Sequence, residues 1–154
     1  SRPHDAVLGR VKGIKGFHDI ADYPETTTIP GLILYRFDAN LVFYNVDYFR
    51  ERVRAAIAAA ETPVEWVVID ASSINVVDIT AIQKFDELRD ELDAQGVKLV
   101  SARVKQNLSK YFKQAWGAER METHAKYRYD TLKSAVRAFN NRVVLEQANG
   151  PDSN

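Results

Sequence analysis

Trp66-Val67-Val68-Ile69-Asp70-Ala71-Ser72-Ser73-Ile74-Asn75-Val76-Val77-Asp78-Ile79-Thr80-Ala81 is the stretch that decides the fold. Pro63 stands before it, and the run Trp66 to Ile69 is apolar without a break. A short continuous apolar run between a breaker and a polar cluster reads as a central strand covered on both faces. Residues 71–75 read as a loop, and Val76 to Thr80 lead into a helix. Thr80 and Gln83 fit a capping box, with Asp78 as the competing cap. Ile82, Phe85, Leu88 and Leu92 then repeat at helical spacing, and Gly96 is a natural stop. Val97 to Ala102 is the next strand. This alternation of single strands with helices argues an α/β domain.

Upstream, Leu32-Ile33-Leu34-Tyr35-Arg36-Phe37 reads as a buried strand between Pro30-Gly31 and Asp38-Ala39-Asn40. Leu41-Val42-Phe43-Tyr44 follows a tight turn and is expected to pair with it. Asn45 sits where an N-cap belongs. Phe49, Val53, Ala56, Ile57 and Ala60 share one helix face, which Pro63 ends. Val7 to Val11 reads as a short strand, and Gly13 through Pro30 as a long polar connection. Downstream, a helix from about Lys105 to Trp116 ends at Gly117. Glu119 to Thr123 reads as a short edge strand. A last helix from about Asp130 carries Leu132, Val136, Phe139 and Val143. The expected fold class is α/β: one domain with a mixed β-sheet and helices mostly on one face. The expected boundaries are a lead-in at 1–31, which includes the first short strand, a domain at 32–145, and a disordered tail at 146–154.

The 154 residues hold 21 Lys+Arg and 21 Asp+Glu, so the net charge is zero, which argues against a whole-domain electrostatic grip on nucleic acid or anionic lipid. No cysteine is present, which removes disulfides, zinc-thiolate sites and a Cys nucleophile. Met121 is the only methionine, so either a segment was removed in processing or the sequence is a piece of a longer protein. No stretch reaches the roughly 20 apolar residues of a membrane span. The glycine-rich basic run Gly9 to Gly16 precedes no helix and reads as a solvated connector rather than a phosphate loop. His4, His18 and His124 lie far apart, with no second ligand at metal spacing. No serine sits on a glycine-flanked elbow, so no catalytic residue is assigned. Charge is segregated: acidic over Asp86 to Asp93, basic from Arg103 to Arg142. Either these are solvated helix faces, or they form a docking surface.

In combination these residues resemble a STAS domain, the module shared by SulP-type sulfate permeases and bacterial anti-sigma-factor antagonists. Leu8-Gly9-Arg10-Val11, Gly16-Phe17-His18-Asp19 and Ile29-Pro30-Gly31-Leu32 are similar to the lead-in that joins the permease membrane region to its STAS domain. Tyr35 to Phe49, Trp66 to Ala71, Val77-Asp78-Ile79-Thr80-Ala81 and Gly96 to Val104 are similar to the permease-type strands and signature loop. The likeness covers about residues 7–140. In the antagonists a kinase-modified serine follows the signature Asp. Here that position is Ile79, and Thr80, one residue on, is the only candidate hydroxyl.

The resemblance implies a regulatory domain of a membrane sulfate or oxyanion transporter, not an enzyme, on the cytoplasmic side of the membrane. Its implied partners are the transmembrane region of the same parent, other copies, or soluble regulators, with neither nucleic acid nor membrane insertion by this piece. The alternative is a soluble antagonist-like partner-binding module. No cofactor is required and no metal is expected. A weak purine nucleotide (GTP, GDP or ATP) is a further implied ligand, placed at Asp38, Asn40, Phe43, Asp78, Ile79 and Thr80. Loops that follow neighbouring parallel strands converge at one end of a sheet. The helix near Thr80 would offer free N–H groups, and Phe43 or Tyr44 a stacking face.

Overall fold

The computed structural model describes residues 2–144. Strands β1 (His4–Val11), β2 (Ile14–Asp19) and β3 (Leu32–Asp38) are followed by α1 (Val46–Ala59), β4 (Trp66–Asp70), α2 (Ile79–Ala94) and β5 (Lys98–Ala102). A single 3₁₀ turn (Gln106–Leu108) precedes α3 (Ser109–Ala125), β6 (Arg128–Tyr129) and α4 (Leu132–Asn140). The six strands form one sheet in the order β2-β1-β3-β4-β5-β6. β1 is antiparallel to both neighbours, while β3, β4, β5 and β6 run parallel, so the sheet is mixed as expected.

The helices fall on the faces for a topological reason. β3 to β6 are laid down in one direction, and right-handed crossovers then place every connecting helix on the same face. Ile33, Tyr35, Phe37, Val67, Ile69 and Leu99 point into that face and meet Phe49 and Val53 of α1 and Leu88 and Leu92 of α2. The alternate residues Leu32, Leu34, Trp66, Val68, Val100 and Ala102 point the other way. There α4 covers them with Leu132, Ala135, Val136 and Phe139, and Phe17, Ile29 and Tyr127 pack beside it. Period-two alternation within strands whose both faces are covered explains why every residue of β4 is buried.

Five expectations are corrected. Leu41 to Tyr44 is not a strand, because both edges of β3 are taken by β1 and β4. Leu41 makes a single parallel bridge to Val77, and the Val42 carbonyl accepts from Asn45 and Val46 in the turn into α1. Gly13 to Pro30 is not all connection, since β2 pairs with β1 there. Its side chains are exposed or half-buried, so no apolar alternation announced it. Gly117 (φ 75°, ψ 172°) breaks the helix as expected, but a second helical segment of α3 follows it at once, so Glu119 to Thr123 is helical, as its strong helix formers favour. The edge strand is Arg128–Tyr129 instead. Val143 lies beyond α4 and is exposed. Finally, Asp78 and not Thr80 caps α2; the capping box of this chain is Thr131 with Ser134, at the start of α4. The tail expected at 146–154 lies outside the described residues.

Gly31 shows how tightly the start of β3 is drawn. Its φ of +85° is one that L side chains rarely adopt, and a Cβ there would stand 2.8 Å from Glu65 Oε2. Its carbonyl accepts from both Glu65 and Trp66 at 2.7 and 3.0 Å, which aligns β4 against β3.

Candidate functional site

The loops after β3, β4 and β5 gather at one end of the sheet because these strands are parallel. The first two are knitted together through their backbones. Leu41 N–H donates to the Val76 carbonyl at 3.1 Å. Asn40 Oδ1 accepts from the N–H groups of Asn75 and Val76, both at 3.0 Å. Asn45, buried at the N-cap position, turns its side chain inward to the loop. Its Oδ1 accepts from Val42 N–H at 3.0 Å, and its Nδ2 donates to the Asn40 carbonyl at 2.7 Å. Loop backbone that no strand or helix pairs needs partners elsewhere, and two asparagine side chains supply them here.

Asp78 joins the two loops to the helix. Its Oδ1 accepts from Ala81 N–H and its Oδ2 from Phe43 N–H, both at 2.8 Å. One carboxylate therefore caps α2 and tethers the β3–α1 loop. It also occupies the anion seat at the helix start, where the peptide dipoles favour negative charge. Replacing Asp78 with Ala is expected to cost about 1–2 kcal/mol, at the upper end of a cap loss, because a second N–H is orphaned with the first. Urea unfolding of D78A against wild type checks this; an unchanged midpoint would contradict it.

Asp38 sits at the same end but is spent differently. Arg36 Nε reaches it at 2.7 Å, His4 Nδ1 at 2.7 Å and Ser73 Oγ at 3.0 Å. Thus the first strand, the end of β3 and the β4–α2 loop meet on one carboxylate. Partial burial alone would push the Asp38 carboxyl up, but the hydrogen bonds from Arg36, His4 and Ser73 outweigh it and hold it below its ordinary value. Asp5 behaves likewise. Burial raises it, while Arg52 at 2.6 Å and the Tyr35 hydroxyl at 2.6 Å bring it down on balance.

Both carboxyls have lower pKa values folded than unfolded, so the unfolded chain binds more protons in acid. Their stabilisation is present above the ordinary Asp range near about 3.9 and is lost as pH falls through the depressed folded values. The urea midpoint is expected to fall steeply below pH 4, and D5N to flatten that fall. Parallel pH profiles for D5N and wild type would contradict the assignment.

Of the sequence-stretch residues expected to act together, Asp38, Asn40, Phe43, Asp78, Ile79 and Thr80 all lie at this end of the fold. Asp38, Asn40 and Asp78 have their side-chain oxygens engaged within the protein. Ile79 is half-buried, Thr80 is exposed in the first turn of α2, and Phe43 and Tyr44 face solvent at 66% and 75% exposure. Asn45, Ser73, Asn75 and Lys105 also belong to the cluster. Lys105 Nζ donates to Asn75 Oδ1, which links the loop after β5 to the other two. Their signal was polar residues at strand ends, which by itself does not say what they touch. Among the described residues no group of His, Asp and Glu could hold a metal, and no helix is long and apolar enough to cross a membrane.

The STAS domain family model matches residues 23–128. The chain is 43% identical over 143 residues to the "Probable sulfate transporter Rv1739c" of Mycobacterium tuberculosis, covering 92% of this chain and 25% of that protein. The chain therefore spans about a quarter of the length of that relative. In structure it is similar to part of the murine Slc26a9 anion transporter in the inward-facing state, with a TM-score of 0.77, 16% identity, and 91% of this chain and 22% of that one covered. It is also similar to the anti-sigma factor antagonist SpoIIAA in its unphosphorylated form, with a TM-score of 0.57, 14% identity, and 77% and 96% covered. The last two likenesses are of fold. The mixed sheet, the loop locked at Asp78 and the family match agree with one another: this chain belongs to the STAS domain family.

Proposed function

We propose that this chain is the cytosolic regulatory domain of a membrane transporter for sulfate or a related oxyanion, and that it is neither the pore nor an enzyme. The observation that carries the reading is the 43% identity to a sulfate transporter along 92% of the chain. The signature loop supports the same side of the family. An antagonist-like switch needs a hydroxyl after the signature Asp, and Ile79 has none. The side-chain oxygens of Asp38, Asn40 and Asp78 hold backbone and neighbouring side chains, so the loops are built as a rigid joint. A nucleotide has the convergence of the loops in its favour and the already seated Asp78 carboxylate against it. It forms no part of the proposed function.

Uptake of labelled sulfate by transport-deficient cells expressing the intact parent protein tests the reading. Uptake above the vector control, competed by unlabelled sulfate, is the expected result. A parent present in the membrane fraction that moves no oxyanion would overturn it.

A further inference from the structure

A cavity of about 60 Å³ lies between α2, α3 and the loop that follows β4. Ile74 and Val77 of the signature loop line it, with Ile82 of α2 beside them. Leu108, Phe112 and Trp116 line it from the side of α3. Phe112 and Trp116 stack at 5.0 Å, and Trp116 stacks in turn on His124 at 4.1 Å with the two rings nearly parallel. His124 stands beyond Gly117, so the stack holds the two segments of α3 together across the break. By its volume the cavity has room for about four waters, the space of a short alkyl chain or one small ring.

The lining is apolar apart from Ser101, His124 and two arginines, Arg89 and Arg128, and among the described residues no Asp or Glu lines the cavity. Arg89 is 6% exposed. Its Nε donates to the Leu99 carbonyl and its Nη1 to Asp86, both at 3.3 Å, and its Nη2 has no hydrogen-bond partner among the described residues. Asp86 also accepts from Trp116 Nε1 at 2.6 Å and from Arg120 at 3.4 Å, and His124 Nε2 lies 3.6 Å from it. One carboxylate therefore serves two guanidiniums, an indole and an imidazole. Arg128 has no acid of its own among the described residues. Its guanidinium lies 5.3 Å from the Phe112 ring, and burial alone pushes it below the ordinary arginine value, with no carboxylate to pull it back. A half-buried cation without a counter-ion is costly to keep, and the apolar cavity beside it offers room for the apolar part of an anion.

We propose that this cavity binds a small amphipathic monocarboxylate, its apolar body against Phe112 and Trp116 and its carboxylate on Arg128. The planar guanidinium presents paired N–H donors to a carboxylate and gains the counter-ion that the protein does not supply. The apolar body leaves water for a lining of hydrophobic side chains. An inorganic anion satisfies the arginine and leaves the apolar walls wet, and a neutral apolar molecule does the reverse, so only a ligand with both parts uses the whole site. The inference does not depend on what the parent transports. Val77 bridges Leu41, and Asp78 beside it holds Phe43 N–H, so an occupied cavity bears on the loops after β3 and β4.

The test titrates the isotope-labelled chain with hexanoate and follows the Trp116 indole N–H and the Leu108 and Phe112 amides by NMR. Hexanol, which keeps the chain without the charge, and acetate, which keeps the charge without the chain, are the controls. Hexanoate is expected to shift all three signals saturably, with hexanol and acetate each weaker by roughly tenfold or more, as the loss of a charged hydrogen bond or of the apolar contact requires. Arg128→Gln should bind hexanol as wild type does and hexanoate no more tightly than hexanol, while Arg128→Lys recovers part of the preference. Thermal melts check that both variants are folded, and the comparison of the three ligands in wild type stands without them. No saturable shift at these signals, shifts confined to the exposed Lys110 and Lys113, acetate as effective as hexanoate, or a folded R128Q with the wild-type preference would each overturn the proposal.

Discussion

Replacing Phe49 with Ala should destabilise the isolated domain by about 3–5 kcal/mol, the range for truncating a large buried aromatic side chain. Phe49 is wholly buried at the centre of the three-helix face. Its ring meets Phe37 edge to face at 5.2 Å, Tyr35 at 6.0 Å and, nearly stacked, Phe85 of α2 at 5.9 Å. It therefore joins α1 to β3 and to α2 at once, and its loss leaves a void among rings too stiff to collapse into it. Since a domain of this kind is stable by only about 5–15 kcal/mol, the variant should fold but lose much of its margin. Urea unfolding should show a lower midpoint with an unchanged slope. A loss under about 1 kcal/mol would mean that the face is not packed as described.

Phe139→Ala should cost a similar amount, about 3–5 kcal/mol, for a different reason. The second face of the sheet is covered mainly by α4, and Phe139 is its largest buried side chain at 1% exposure. The ring meets Trp66 edge to face at 5.6 Å, and the Arg142 guanidinium lies 3.8 Å from it on the outside. Without it, the nine residues of α4 hold on through the smaller side chains Leu132, Ala135, Val136 and Ala138. Helices this short do not persist without packing. Hydrogen exchange should then show α4 amides opening well before those of β4, whereas Phe49→Ala should speed exchange on the opposite face. Uniform exchange in both variants would contradict the two-face account.

The contrast between these two faces also explains what could be read in advance. β3, β4 and β5 were legible because both faces of the sheet are covered there and the runs are mostly apolar. α1 and α2 were legible because one large face packs on the sheet. β2 escaped notice because it lies at an edge with exposed or half-buried side chains, so alternation left little trace. Leu41 to Tyr44 misled because apolarity does not distinguish a strand from a loop that shows its rings to solvent. Glu119 to Thr123 misled because so short a run after a glycine break carries too little periodicity to show that a second helical segment follows. At the site, parallel strands made the convergence of Asp38, Asn40 and Asp78 predictable. What each carboxylate would accept from was not, because Phe43 N–H, His4 and Ser73 are brought to them only by the completed sheet.

The central claim is that this domain governs a transporter without being its conduit. The most direct measurement is labelled sulfate uptake per membrane-inserted molecule in three cell lines. One expresses the intact parent, one the parent lacking residues 1–154, and one residues 1–154 alone. The account predicts robust uptake for the first, a several-fold loss for the second and none above control for the third. Uptake conferred by residues 1–154 alone, or uptake untouched by their removal, would contradict it.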